Sequence, residues 1–254
     1  MSWASRRRNK YLAGGIAILV ILIGIPLFFV FRSQPTCFDG EQNGDEAGVD
    51  CGGVCALYCP FQITPPSVLW SRSFEVAPGA YNAVAYVDNP NFQAGTLEVS
   101  YSFKLFDERN ILVAERVGKT FVAPSKTNPI FEGGIQTGER VPVRTFFELT
   151  GAPVWLRFSK QTSLLSTSQY SVRDEEFAPK LDVRLTNASP AEDVRDVEVV
   201  ATAFGEDGNA IGVSRTIVDL LERDSTVPLV FTWPAPFEAP ATRFEIIPRL
   251  SPRE

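Results

Sequence analysis

The chain has 254 residues, carries 24 Lys and Arg against 30 Asp and Glu for a formal net charge of −6, and contains no histidine. Without imidazole there is no Ser-His-Asp or Cys-His nucleophilic site, no His-ligated zinc and no histidine acid–base catalysis. No basic stripe marks a nucleic-acid partner, and although scattered Asp and Glu would permit paired-carboxylate chemistry, no pair stands out, so the chain reads as a non-enzyme.

The charge is unevenly placed. Residues 1–36 hold five positive charges and no acid, whereas residues 37–59 hold five acids and no base. Residues 1–10 form a basic tail ending in Arg6-Arg7-Arg8-Asn9-Lys10. Residues 11–31, Tyr11 to Phe31, contain no charge; as a helix they extend about 31 Å, matching a bilayer hydrocarbon core of about 30 Å. Pro26, Gly14 and Gly15 are tolerated in a membrane helix, and Ala13, Gly14, Gly15 and Ala17 could form a close-packing face. The flanking basic cluster predicts a cytoplasmic amino terminus and an extracytoplasmic bulk, anchored in the bilayer by a single pass. A cleaved secretory signal would have a shorter apolar run and a small-residue cleavage site, which Phe29 to Cys37 does not offer. Gln34-Pro35-Thr36 likewise lacks the small and apolar residues of lipoprotein processing at Cys37.

All four cysteines, Cys37, Cys51, Cys55 and Cys59, fall in residues 37–59 with x13, x3, x3 spacing. An even count outside the membrane, in a segment too short for its own core, predicts two disulfides with three pairings open. The alternative is a four-thiolate zinc site, but only the second half of the spacing suits one. Between Cys37 and Cys51, Asp39, Glu41, Asn43, Asp45 and Asp50 follow the order of a calcium loop, with oxygens at positions 1, 3 and 5, Gly44 at 6 and Asp50 at 12. Glu at position 3, the short Asp at 12 and the lack of flanking helices depart from that pattern. Two readings stay open here: a disulfide-braced calcium site, and a soluble turn-rich spacer with no cofactor. The stretch resembles short cysteine-rich modules of bacterial surface proteins with a C-x-DG-x-x-NG-x-E-x-x-VDCGG-x-C core, which implies an extracytoplasmic, bacterial setting and no particular activity.

Pro60, Pro65 and Pro66 mark residues 60–66 as a linker. Two sets of strand-like runs follow, predicting β-domains over residues 65–160 and 162–254. The first set is Val68–Val76, Tyr81–Asp88, Thr96–Asp107, Ile111–Val122, Val141–Leu149 and Val154–Phe158. The second is Thr162–Val172, Lys180–Leu185, Val194–Phe204, Ala210–Val218, Val227–Trp233 and Arg243–Pro248, with a short helical pattern at Val218–Glu222. Turn residues separate the runs, as expected of antiparallel sandwiches. The two sets also match each other. Asp88-Asn89-Pro90 lies 98 residues before Thr186-Asn187-Ala188, Phe106-Asp107-Glu108 lies 98 before Phe204-Gly205-Glu206, and Thr127-Asn128-Pro129-Ile130 lies 99 before Thr226-Val227-Pro228-Leu229. One recurring offset predicts an internal duplication.

Within Thr96–Asp107, period-2 alternation places Leu97, Val99, Tyr101, Phe103 and Leu105 on the core face and Glu98, Ser100, Ser102 and Lys104 on the other. Phe103-Lys104-Leu105-Phe106-Asp107 is similar to the F-x-L-Y-D signature of a small bacterial β-sandwich family, with Phe106 for the tyrosine. Ala85 to Asn91 resembles the strand-and-turn partner shared with desiccation-related sandwich domains. The resemblance covers about 30 residues and implies a secreted or membrane-tethered sandwich of unassigned binding function. Trp70, Trp155 and Trp233 lie in or beside strands and read as core rather than as a carbohydrate platform. Asn187-Ala188-Ser189 fits a glycosylation acceptor but is a coincidence in a bacterial chain.

The sequence therefore predicts an all-β ectodomain of two tandem immunoglobulin-like antiparallel β-sandwiches after one transmembrane helix, acting as a binding or scaffolding protein of the cell envelope. Its expected partners are the bilayer and an envelope or cell-surface protein. The alternative is a subunit of a multi-protein envelope machine, assembled through its helix and β-domains.

Overall fold

The computed structural model describes residues 3–31, 36–158 and 164–252. It divides into two compact units, residues 1–53 and 54–254. The boundary expected between residues 160 and 162 lies outside the described residues, as do Arg32, Gln34, Pro35 and Thr162.

In the first unit a helix, α1 (Trp3–Phe31), runs through Pro26. Its stretch Lys10–Phe28 is long and apolar enough to cross a membrane, the one such helix among the described residues. Ile16, Ile18, Leu19, Val20 and Leu22 are all exposed, which is costly in water and suits lipid.

The second unit is antiparallel β throughout. After a single 3₁₀ turn at Pro60–Gln62 come β1 (Ser67–Ala77), β2 (Ala80–Asn89), β3 (Ala94–Phe106), β4 (Leu112–Val122), β5 (Lys126–Gln136), β6 (Arg144–Thr150) and the two-residue β7 (Leu156–Arg157). Then follow β8 (Leu165–Arg173), β9 (Lys180–Asn187), β10 (Val194–Phe204), β11 (Ala210–Leu221), β12 (Ser225–Thr232) and β13 (Arg243–Arg249). The strands pair as β1-β2-β5 and β4-β3-β6, with β7 on the start of β3, and again as β12-β9-β8 and β11-β10-β13. Strands β1 to β6 and β8 to β13 thus share one pattern of pairing.

Local geometry repeats with the pairing. Asn89 is buried, donates through Nδ2 to the carbonyls of Ala94 (2.8 Å) and Ala123 (3.0 Å), and accepts at Oδ1 from the Asn91 amide (3.1 Å). Asn187 is buried too, donates to the carbonyls of Glu192 (2.9 Å) and Glu222 (3.1 Å), and accepts from the Ser189 amide (3.0 Å). Each amide satisfies carbonyls that the strand crossing would otherwise leave unpaired. The backbone bond from Asp107 N to Ile111 O (3.1 Å) has its counterpart from Gly205 N to Asn209 O (2.9 Å).

Three cores hold the four sheets together. Alternate residues of β2, Tyr81, Ala83, Ala85 and Val87, meet Tyr101, Phe103, Leu105 and Phe147 of the β4-β3-β6 sheet. Leu181, Val183 and Leu185 of β9 and Phe231 of β12 meet Val197, Val199 and Ala201 of β10. Between these cores lies a third, in which Val84, Tyr86 and Phe131 face Val200 and Val213, flanked by Trp70, Phe74 and Ile247. The two inner sheets are therefore covered on both faces, and Ala83–Val87 and Val199–Phe204 are buried without a break. Such continuous burial replaces the half-polar alternation of a strand with one wet face.

The outermost faces are polar at their centres. On β3, Lys104 bonds Glu148 at 2.6 Å, and Ser102 donates to Glu115 at 2.8 Å. On β9, Arg173 grips Asp182 with bonds of 2.6 and 2.8 Å, and the hydroxyls of Thr186 and Thr226 lie 2.8 Å apart. Asp182 and Arg184 stand 98 residues after Val84 and Tyr86. Where the inner sheet carries apolar groups that pack on another sheet, the outer one carries charge.

Several expectations are corrected. Leu97 is exposed, because the register shifts between Thr96 and Val99 and turns it out of the core, while Ser102 on the outer face is buried beneath its neighbours. Val218–Glu222 is not helical, since β11 continues to Leu221, paired with Val194 and wholly buried. Strand β5 was not expected, because Pro129, Gly133 and Gly134 look like breakers. It lies at a sheet edge, where proline is tolerated, and its ladder to β2 shifts register beside these glycines.

Candidate functional site

The acidic loop in the first unit is built around its own backbone. Asp50 accepts from the amides of Asp39 (2.9 Å) and Gly40 (3.0 Å), closing the loop end to end. Asp39 accepts from the Thr36 amide (3.0 Å), the Glu41 amide (3.0 Å) and Asn43 Nδ2 (2.9 Å). The bond from Asn43, followed by those from the backbone amides, holds the Asp39 carboxyl below its ordinary pKa. Glu46 accepts from the amides of Asn43 (3.4 Å) and Asp50 (3.2 Å). Of the five candidate calcium ligands, the structure thus brings together Asp39, Asn43 and Asp50. Glu41 and Asp45 are exposed, and among the described residues Asp39, Glu41, Asp45 and Asp50 form no three-carboxylate cluster. Among the described residues the half-buried Asn43 Oδ1 has no partner.

Cys37, Cys51, Cys55 and Cys59 are all disulfide-bonded, so the chain carries two disulfides. With no thiolate left, the four-thiolate zinc alternative is overturned. Gly53 adopts a φ of +58°, and a Cβ there would stand 1.6 Å from the Asp45 carbonyl oxygen. Only glycine fits that crossing. In the second unit, the stretch through Cys59 is fastened by backbone bonds from Tyr58 N to Trp155 O (2.9 Å) and Arg157 N to Ala56 O (2.6 Å), with the Arg157 guanidinium over the Tyr58 ring.

The sequence reading did not single out the polar groups around the middle core. The Tyr86 hydroxyl donates to Thr202 Oγ1 at 2.9 Å, both residues buried, and burial raises the phenol pKa well above its ordinary value. Trp70 stacks on the Tyr86 ring at 4.3 Å and meets Phe204 edge-on at 6.2 Å. Arg249, 5% exposed, bonds Glu198, Thr120 Oγ1 (2.9 Å) and the Phe121 carbonyl (3.1 Å), with its guanidinium over the Phe121 ring. Desolvation lowers the Arg249 pKa and Glu198 opposes that shift. Arg215 also pairs with Glu198, at 3.4 Å, and lies over the Phe131 ring. Nearby, the Tyr101 hydroxyl donates to Glu132 at 2.6 Å, and its ring passes so close to Gly118 that a Cβ there would stand 2.5 Å away.

No protein-family model and no curated protein matches the chain.

A cavity of about 410 Å³ opens beside Arg249, lined by residues from β4, the β4–β5 turn, the β9–β10 turn and the end of β13. Phe121, Phe158, Leu165 and Ile247 give it apolar walls, while Lys126 and Arg249 give it positive charge. Trp155 and Trp233 are buried and Trp70 is half-buried against Tyr86, so none forms an exposed aromatic platform. The sequence signal for the middle core was the pair of unbroken apolar runs at Val84–Val87 and Val199–Ala201, which alternation-based reading assigns to one face only.

Proposed function

We propose that the chain is a single-pass membrane protein whose β-rich bulk stands outside the cytoplasm as a non-catalytic binding or scaffolding element of the cell envelope. The observation that carries this reading is the sequence of features along the chain: a basic tail, a helix able to span a membrane, then four cysteines all in disulfides. Disulfides persist in oxidising compartments, and basic flanks stay on the cytoplasmic side. Together they favour an inside amino terminus in the cell membrane.

In the same reading the second unit is two tandem immunoglobulin-like sandwiches that arose by internal duplication. The repeated strand pairing and the twin asparagine clamps, Asn89 and Asn187, support it. The likeness of Phe103–Asp107 to the F-x-L-Y-D signature fits such a sandwich. Polar outer faces cover the far sides of the two copies, much as capping repeats do in a solenoid.

The acidic loop serves as a self-closed spacer. Its alternative role, calcium ligation through Asp39, Glu41, Asn43, Asp45 and Asp50, is favoured by the unpartnered Asn43 Oδ1 alone. Protease added to intact cells tests the main reading. Cleavage of the β-unit with the tail protected is expected; a β-unit protected until the cells are lysed overturns it. Assembly into a larger envelope machine through α1 is the second reading, supported by the small residues Gly14 and Gly15, where an added Cβ would meet nothing within 4 Å outside the helix backbone among the described residues. Recovery of membrane-embedded partners after mild cross-linking would favour it.

A further inference from the structure

The cavity beside Arg249 falls in the volume range of small-molecule sites, about 300–1,000 Å³, and shares their mostly apolar lining with a few polar groups. Its buried guanidinium is paired: Arg249 bonds the carboxylate of Glu198, which also meets the exposed Arg215 outside the lining. Among the described residues Arg249 Nε has no hydrogen-bond partner. Lys126 stands exposed at the rim, its pKa lowered by partial desolvation. Among the described residues Glu192 is the one carboxylate residue in the lining, and it is exposed. The neighbouring amides Asn128 and Asn187 are already committed to backbone carbonyls, so they hold the walls rather than a ligand. A buried N–H donor without an acceptor is costly and is relieved by a ligand that offers one, while the phenylalanine, leucine and isoleucine walls are best covered by hydrocarbon.

We propose that this cavity binds a small monoanionic amphiphile: a carboxylate on a short hydrocarbon body, its anionic end toward Lys126 and Arg249 and its body against Phe121, Phe158 and Ile247. Because the walls come from strands on both sides of the middle core, an occupant that binds only the folded state stabilises the second unit by mass action.

The test uses the full chain in lipid nanodiscs, with octanoate as the probe, octylammonium as its opposite-charge counterpart and acetate as the headgroup without the body. Empty nanodiscs correct for partitioning. Octanoate is expected to raise the melting temperature of the β-unit saturably, and octylammonium and acetate to leave it unchanged. Lys126→Glu, at an exposed side chain, should weaken octanoate about fivefold, the order expected when one partly exposed ion pair becomes a repulsion. Ala123→Trp, which fills the cavity, should abolish the shift; if that variant does not fold, Lys126→Glu decides. No shift with octanoate, an equal shift with octylammonium, or unchanged octanoate affinity in Lys126→Glu would overturn the proposal. None of these outcomes bears on which side of the membrane the unit stands.

Discussion

The hydroxyl pair between Tyr86 and Thr202 offers the most direct test of the middle core. Tyr86→Phe removes the donor of a 2.9 Å bond and leaves Thr202 Oγ1 without it, at a position where Thr202 has no exposed surface. Orphaning a buried polar atom costs about 1–3 kcal/mol, whereas replacing both partners by apolar groups of the same shape is close to neutral. Tyr86→Phe and Thr202→Val should therefore each destabilise by about 1–2 kcal/mol, while the double variant loses about as much as one single variant, a coupling of about 1 kcal/mol. For a unit of residues 54–254, that single loss lowers the melting temperature by about 2–8 °C. Denaturant unfolding of the full chain in detergent, followed by tryptophan fluorescence, is the assay, because Trp70 stacks directly on Tyr86. Additive effects, with coupling below about 0.3 kcal/mol, would show that the two hydroxyls do not depend on each other. Two well-separated transitions would refute the view that β1 to β7 and β8 to β13 share a core.

Phe103→Asp places a carboxylate among the Tyr101 and Phe147 rings, where the native ring is fully buried; it should cost more than about 4 kcal/mol, and a soluble variant that melts cooperatively near the parent would contradict the core assignment. Asn89→Ala and Asn187→Ala should destabilise by similar amounts, about 2–3 kcal/mol each, and a several-fold disparity between their denaturant midpoints would argue against equivalent clamps. Tyr86 and Tyr101 have folded pKa values raised mainly by burial, so their contribution is intact below the ordinary phenol pKa of about 10 and declines as pH rises above it. Ultraviolet titration should find both phenols silent until the chain unfolds in alkali; ionisation with the fold retained would disprove this. Calcium titration by calorimetry should give no heat if the acidic loop is closed by its own amides, and saturable binding would restore Asp39 and its neighbours as ligands.

Part of the site was visible in the sequence because local chemistry encoded it. Asp39, Asn43 and Asp50 come together through hydrogen bonds within the loop, where Gly40 and Gly44 take the positive φ values that let the chain turn. What those oxygens face was not encoded locally: amides and carbonyls are interchangeable in a motif, and the folded loop directs Asp39 and Asp50 toward N–H donors. Strand β5 was hidden by Pro129 and its glycines, although its counterpart at Val227–Trp233 was legible and the repeat offset linked the two. Arg249 and Glu198 had no signal at all, because they are 51 residues apart and only the β10–β13 ladder makes them neighbours.

The uncharged run from Tyr11 to Phe31, the packed cysteines and the period-2 strands were fixed by composition and spacing, because bilayer thickness, thiol oxidation and side-chain alternation act over short stretches of chain. Which face of β2 and β10 meets which sheet was decided by tertiary packing alone. Val84 and Tyr86 are apolar like their neighbours Ala83 and Ala85, and nothing within a strand distinguishes a face that meets the first core from one that meets another sheet. Only when β10 lies against β2 do the tyrosine hydroxyl, the Arg249 guanidinium and the cavity beside it acquire their partners.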